Sequence, residues 1–243
     1  MMRLRRPSWF ALALTLVGVA VFVRLGFWQL HRADEKEALL RLFAAAAQAP
    51  VEDFAAVAGR VAPERYPHVR VPGRFLPQRD YLLDDQVVGG QVGVRVFAPF
   101  APDAGGTLLV NLGFLPRQGA QRRLPELPPL PAGATTLTGL YAPPPPTGLK
   151  LGGDALPHEA RWPKLTIYLD LEAVGADLGR RLYPRVLLLD RDPASPYVRL
   201  WTPDVMPPAR HLGYALQWFS FAIAAVVIFL ALHRRREPDE EPQ

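Results

Sequence analysis

The chain has no cysteine among its 243 residues. That excludes disulfide staples, thiol–disulfide exchange and thiolate metal sites. Methionine is nearly as scarce: there are three, and two of them are Met1 and Met2. A methionine-rich copper carrier is excluded on the same ground. The five histidines, His31, His68, His158, His211 and His233, never stand three or four residues apart, so no local metal pair exists. Also missing are a Gly-rich phosphate loop, a Gly-x-Ser-x-Gly elbow and a His-Glu-x-x-His helix. Without a nucleophile–base set to name, the chain is not expected to be an enzyme. The net charge of +5 sits mostly on arginines near the chain ends and on loops. It lacks the interleaved basic and aromatic residues of a nucleic-acid module.

Long apolar runs are absent from the middle of the chain and present at both ends. The first covers 9–30 and the second 211–232, each about the ~20 residues that cross a bilayer core. The region between them, 31–210, is too polar and too rich in proline for membrane, and long enough for its own core. The expected organisation is a tail (1–8), a first transmembrane helix (9–30), one folded domain (31–210), a second transmembrane helix (211–232) and a tail (233–243). Arg3, Arg5 and Arg6 precede the first span, and Arg234, Arg235 and Arg236 follow the second. Clusters abutting span ends favour the cytoplasm. Arg32, Lys36, Arg41, Arg199 and Arg210 lie on the other side, but a long translocated domain is largely exempt from that rule. Both termini are therefore expected in the cytoplasm and the domain in the periplasm. A cleaved signal peptide is the bland alternative, with Gly18-Val19-Ala20 as a cleavage site. The apolar run continues past Ala20 to Trp28, which argues for a retained span. No Arg- and Ser-rich transit segment precedes it, so a multi-pass protein of a bacterial inner membrane is expected.

Within the domain, 33–48 has a helical pattern that extends the first span until Pro50 stops it. A short helix is expected over 52–59. His68 to Val71 and Gly73 to Leu76 alternate, Tyr81 to Leu83 follows a turn, and Val92 to Phe97 alternates again. Thr107 to Asn111 is almost wholly apolar, the pattern of a central strand, and Thr135 to Tyr141 alternates. Leu124 to Pro131 and Pro143 to Pro146 are extended loops. Asp170 to Leu178 is a helix ended by Gly179. Arg185 to Asp190 is a buried strand and Tyr197 to Trp201 another. The expected fold is α+β: two transmembrane helices flanking one extracytoplasmic, mainly antiparallel β domain with a few short helices, curled into an open barrel. Asp84-Asp85 is expected on a solvated turn, and Asp190-Arg191-Asp192 at a strand end with salt-bridged charges.

The unusual residues gather where the spans leave the bilayer: Arg24, Trp28, Gln29, His31 and Arg32 on one side, Arg210, His211, Tyr214, Gln217 and Trp218 on the other. An aromatic belt with snorkelling arginines accounts for most of them. It accounts less well for Gln29, His211 and Gln217, since polar residues near a span usually face a partner helix or a functional site. Thr15, Gly18, Phe22, Gly26 and Gln29 fall on one face of the first span. His211, Tyr214 or Ala215, Trp218, Ala222 and Ala225 fall on one face of the second. Small residues at these steps let helices pack closely. His211 then stands at the top of a helix seam, either as a structural interface residue or as an axial ligand for haem iron.

These residues also carry a family likeness. Leu25-Gly26-Phe27-Trp28-Gln29-Leu30-His31-Arg32 resembles the Leu-Gly-x-Trp-Gln-Leu-x-Arg motif of the Surfeit locus 1 family. Val110-Asn111-Leu112-Gly113-Phe114-Leu115-Pro116 is similar to its Val-Asn-Arg-Gly-Trp-Val-Pro strand, with Leu112 and Phe114 in place of arginine and tryptophan. Trp162-Pro163 followed by Asp170 resembles its Trp-Pro…Asp segment. His211-Leu212-Gly213-Tyr214-Ala215-Leu216-Gln217-Trp218-Phe219 is similar to its second-span motif, with Ala209-Arg210 where an asparagine pair is often found. The resemblance implies an assembly factor for haem-copper cytochrome c oxidase, with subunit I, haem a synthase and membrane lipid as partners. It implies that haem a is bound transiently through His211 and inserted into subunit I. Tyr214, Trp218, Gln217, Trp28 and Gln29 would complete that site, and the only metal bound would be the haem iron. A purely structural scaffold for subunit I, binding no haem, is the alternative.

Overall fold

The computed structural model describes residues 8–63, 65–119, 123–147, 156, 160–200 and 205–233. The arginine clusters at both chain ends, His158 and Trp201 lie outside the described residues. The chain divides into two compact units, residues 1–39 with 205–243, and residues 40–204.

The first unit consists of two long helices. α1 (Trp9–Gln48) begins where the Ser8 hydroxyl accepts the Ala11 N–H at 3.1 Å, satisfying an orphan donor of the first turn. It runs without a break past Leu30 and stops at Ala49-Pro50, because proline disfavours helical backbone in the residue before it. α4 (Pro208–Leu232) starts with proline in its first turn, where the missing N–H costs nothing. Both helices are long and apolar enough to cross a membrane. Their outward side chains, among them Phe10, Leu14, Val17, Ile223, Val227 and Leu232, are exposed.

The second unit is a β-barrel with small helices. Its strands are β1 (Glu52–Asp53), β2 (His68–Phe75), β3 (Tyr81–Val88), β4 (Gln91–Pro102), β5 (Thr107–Pro116), β6 (Thr135–Ala142), β7 (Lys164–Thr166) and β8 (Leu182–Leu189). The order is β1-β2-β6-β8-β5-β4-β3-β7, and a further pairing of β2 with β4 closes β2, β6, β8, β5 and β4 into a ring. The expected open barrel is thus closed, by the register Gly73↔Pro102, Arg74↔Ala101 and Phe75↔Phe100. Most pairings are antiparallel, but β5–β8, β3–β7 and β1–β2 are parallel.

The apolar strand β5 is central, as its composition requires, and its residues divide between two cores. Leu108, Val110 and Leu112 point inward with Val69, Val94, Val96 and Leu187. Leu109 points outward with Tyr81, Phe97, Val174 and Val186. That outer core lies under α3 (Leu171–Leu178), which Asp170 caps by accepting the Glu172 N–H at 3.0 Å and Gly179 ends in left-handed backbone at φ +61°.

Three expectations are corrected. Only Phe54 to Val57 of 52–59 is helical (α2), because Glu52 and Asp53 pair with β2 instead. Tyr197 to Leu200 forms no strand; it makes one bridge, in which Phe114 and Val198 exchange both N–H···O bonds at 2.9 Å. Asp84 and Asp85 are not a solvated turn. They form an irregularity within β3, where Arg117 holds the Asp84 carboxylate at 2.6 and 2.7 Å.

The Val110–Pro116 motif has a physical explanation here. Between Val96 and Phe97 of β4 the register shifts against Gly113 and Asn111 of β5, leaving Leu112 as the extra residue of a bulge. The Asn111 side chain accepts the Gly113 N–H at 3.0 Å and locks the bulge. Gly113 has φ +125°, and a Cβ there would lie 2.8 Å from the Val198 carbonyl oxygen, so glycine is required.

Candidate functional site

The seam of the helix unit follows the two sequence faces. On α1 the residues turned from solvent include Thr15, Gly18, Phe22, Gly26, Gln29 and Ala33; on α4 they include His211, Ala215, Trp218, Ala222 and Ala225. Phe22 stacks on Trp218 with centroids 5.9 Å apart, and Phe27 meets Phe219 edge-on at 5.5 Å. Gly26 does not serve backbone approach. It is a notch for a ring, since a Cβ there would fall 2.6 Å from Phe219.

At one end of this seam the polar groups meet. His211 Nδ1 lies 2.8 Å from Gln29 Oε1. An amide oxygen can only accept, so Nδ1 donates this bond. Nε2 is buried and has no hydrogen-bond partner among the described residues, and the residue as a whole is 8% exposed. An unpartnered acceptor out of water costs about 1–3 kcal/mol. Fixing the tautomer through the other ring nitrogen is also how proteins orient a histidine toward a metal. The donor set therefore fits a haem iron: Nδ1 is held by Gln29, and Nε2 is the nitrogen left to ligate.

The other predicted site residues are placed differently. Trp218 is in the seam, two turns along α4 from His211, and Phe22 covers its ring. Tyr214 (42% exposed) and Gln217 lie on the outer side of α4, and Ala215 takes the buried position one turn below His211. Trp28 is also turned outward, 53% exposed. The alanine face of α4, with Ala215 and Ala222 buried, is covered by α1. His31 pairs with Glu35 at 3.2 Å, and His233 Nδ1 bonds the Phe229 carbonyl at 2.7 Å. Ala33, 3% exposed one turn beyond Gln29, also belongs to the seam; continuing the four-residue step from Gln29 would have found it.

In the barrel, sequence reasoning missed a buried network. Lys164 bonds Asp177, which also accepts the Tyr81 hydroxyl at 2.7 Å, and the Lys164 ammonium stands 4.9 Å from the Trp162 ring centroid. Desolvation and this hydrogen bond push the Tyr81 hydroxyl far above its ordinary value. Asp177 follows the pattern of an exposed helix residue and Lys164 that of an edge strand, so neither signalled the other. The charges expected at the end of β8 do pair: Asp190 with His68 at 3.0 Å and Asp192 with Arg199 at 4.0 Å.

Two terminal helices long and apolar enough to cross a membrane, and a β-barrel with a locked bulge, define the class of fold. The model of the SURF1 family matches residues 16–223, most of the chain. The chain belongs to the SURF1 family, the Surfeit locus 1 family of the motifs above. An uncharacterised SURF1-like protein of Mycobacterium tuberculosis is 29% identical over 231 residues, covering 92% of this chain and 83% of that one. A SURF1-like protein of Rickettsia bellii is 26% identical over 220 residues, covering 88% and 87%. A SURF1-like protein of the eukaryote Monosiga brevicollis is 32% identical over 119 residues, 44% and 45% of the two chains.

Proposed function

We propose that this chain is a membrane-anchored assembly factor for haem-copper cytochrome c oxidase, and that it holds haem a through His211 on the way to subunit I. Family membership supports the assembly role, because SURF1 proteins are generally cytochrome oxidase assembly factors. The single observation that carries the haem reading is the His211 imidazole, with Nδ1 anchored on Gln29 and Nε2 buried without a partner. Haem is cargo in this reading, not a resident catalyst, so the chain needs to capture and release it rather than to react. One axial histidine suits that better than two, since a single ligand exchanges more readily. Subunit I is the receiving partner and haem a synthase the supplying one. The termini lie in the cytoplasm and the barrel in the periplasm of a bacterial inner membrane, an arrangement that reporter fusions at each end would check.

A second reading has its own observation. The seam is filled by Phe22, Trp218, Phe27 and Phe219, which suits a rigid scaffold for subunit I helices that binds no haem. The visible spectrum of the protein purified from cells making haem a separates the two. A Soret band that disappears in His211→Ala supports carriage. A colourless wild-type protein leaves the scaffold, and a band unchanged in His211→Ala overturns His211 as the ligand.

A further inference from the structure

Arg185 lies in an otherwise apolar strand and is 8% exposed. A guanidinium out of water is ordinarily compensated by a carboxylate. Here one terminal nitrogen donates to the carbonyls of Arg65 (2.6 Å) and Tyr141 (3.3 Å), and the other to those of Ala62 (2.8 Å) and Pro63 (3.2 Å). These dipoles solvate the charge without cancelling it, and no carboxylate pairs with Arg185 among the described residues. The fifth donor, Nε–H, has no hydrogen-bond partner among the described residues. The rings of Tyr66 and Tyr141 stand 5.9 and 5.8 Å from the guanidinium carbon.

Beside this residue is a cavity of about 540 Å³, whose walls include Arg181, Tyr183, Leu182 and Val61 and, among the described residues, no acidic side chain. Among the described residues the cavity lining has two cations, two aromatic rings and no carboxylate, which favours an anion with an apolar body. Its volume lies in the ordinary range for small-molecule sites. We propose that it binds a small organic anion, with the acid group on Arg185 and Arg181 and the apolar body against Tyr141 and Tyr183. The plainer role of Arg185, tying Ala62, Pro63 and Arg65 to β8, explains its carbonyl bonds. It does not explain the second arginine on the same cavity.

Equilibrium dialysis of the full chain in maltoside micelles tests this, with phenyl phosphate as probe, phenol as its neutral twin and inorganic phosphate as its bodiless one. Phenyl phosphate should saturate one site, and both twins should bind about tenfold more weakly or less. Arg181→Ala, which removes an exposed side chain, should weaken phenyl phosphate about tenfold. Titration followed by nitrogen NMR should shift the Arg185 Nε–H resonance in step with binding, and this needs no substitution at Arg185. Lack of saturable binding, phenol or inorganic phosphate binding as tightly, indifference to Arg181→Ala, or an unmoved Arg185 resonance would each overturn the proposal.

Discussion

The barrel and the helix pair face opposite solvent problems. The barrel hides its apolar side chains in two cores, and its buried charges are tied to partners: Lys164 to Asp177, Arg117 to Asp84, Arg185 to four carbonyls. The helix pair shows its apolar side chains to the outside, and between its helices Gln29 meets His211. In the barrel these buried charges serve the fold. In the helix pair the His211 ring nitrogen that Gln29 does not hold is left over, and the functional reading attaches there.

That contrast can be broken from either side. The largest effect is expected in the barrel. Lys164→Met leaves the Asp177 carboxylate buried without its cation and should cost about 3–5 kcal/mol, read from urea unfolding of the barrel signal. Gly113→Val comes next. It forces a β-branched residue into backbone at φ +125° and against the Val198 carbonyl, for a loss of about 2–3 kcal/mol by the same measurement.

Gln29→Leu should cost less, about 1–2 kcal/mol, because it strands one ring N–H. Its sharper readout is nitrogen NMR of His211, which should lose the fixed Nδ1–H tautomer. If His211 carries haem, the Soret intensity should fall about tenfold as well. An unchanged tautomer would show that the helix pair does not orient this ring through Gln29.

The smallest effect is a gain. Burial raises the Asp80 carboxyl to about 6, and its Oδ1 has no hydrogen-bond partner among the described residues. The folded chain therefore keeps this proton to a higher pH than the unfolded chain, whose aspartates titrate near about 4. The stability linked to this group is present below about pH 4 and is lost as pH rises through about 6. Asp80→Asn should raise stability by about 1 kcal/mol at pH 7.5, a figure reduced for partial exposure, and should make no difference at pH 4. A melting-temperature series over pH checks both halves.

Much of this architecture was legible in local pattern. The seam residues Phe22, Gly26, Gln29, His211 and Trp218 share faces at helical spacing, and the structure turns those same faces together. The cap and stop of α3 are written in Asp170 and Gly179. The candidate site was legible only in part. Tyr214 and Ala215 are adjacent and both compatible with the seam, and periodicity does not choose between them; packing against α1 chose the alanine. The parallel β5–β8 pairing and the β2–β4 closure join strands far apart in the chain, and alternation within a strand carries no information about its neighbour.

The order of apolar and polar residues alone determined two terminal helices of membrane length, a β-rich middle and the helix faces that meet, because these follow from periods of 3.6 and 2 within short windows. Only the tertiary structure decided that Gln29 holds Nδ1 of His211, that Asp177 receives both Lys164 and Tyr81, and that Arg185 is buried among carbonyls. Each of those depends on a partner many residues away, brought within hydrogen-bond reach by the closed fold and by nothing in the local sequence.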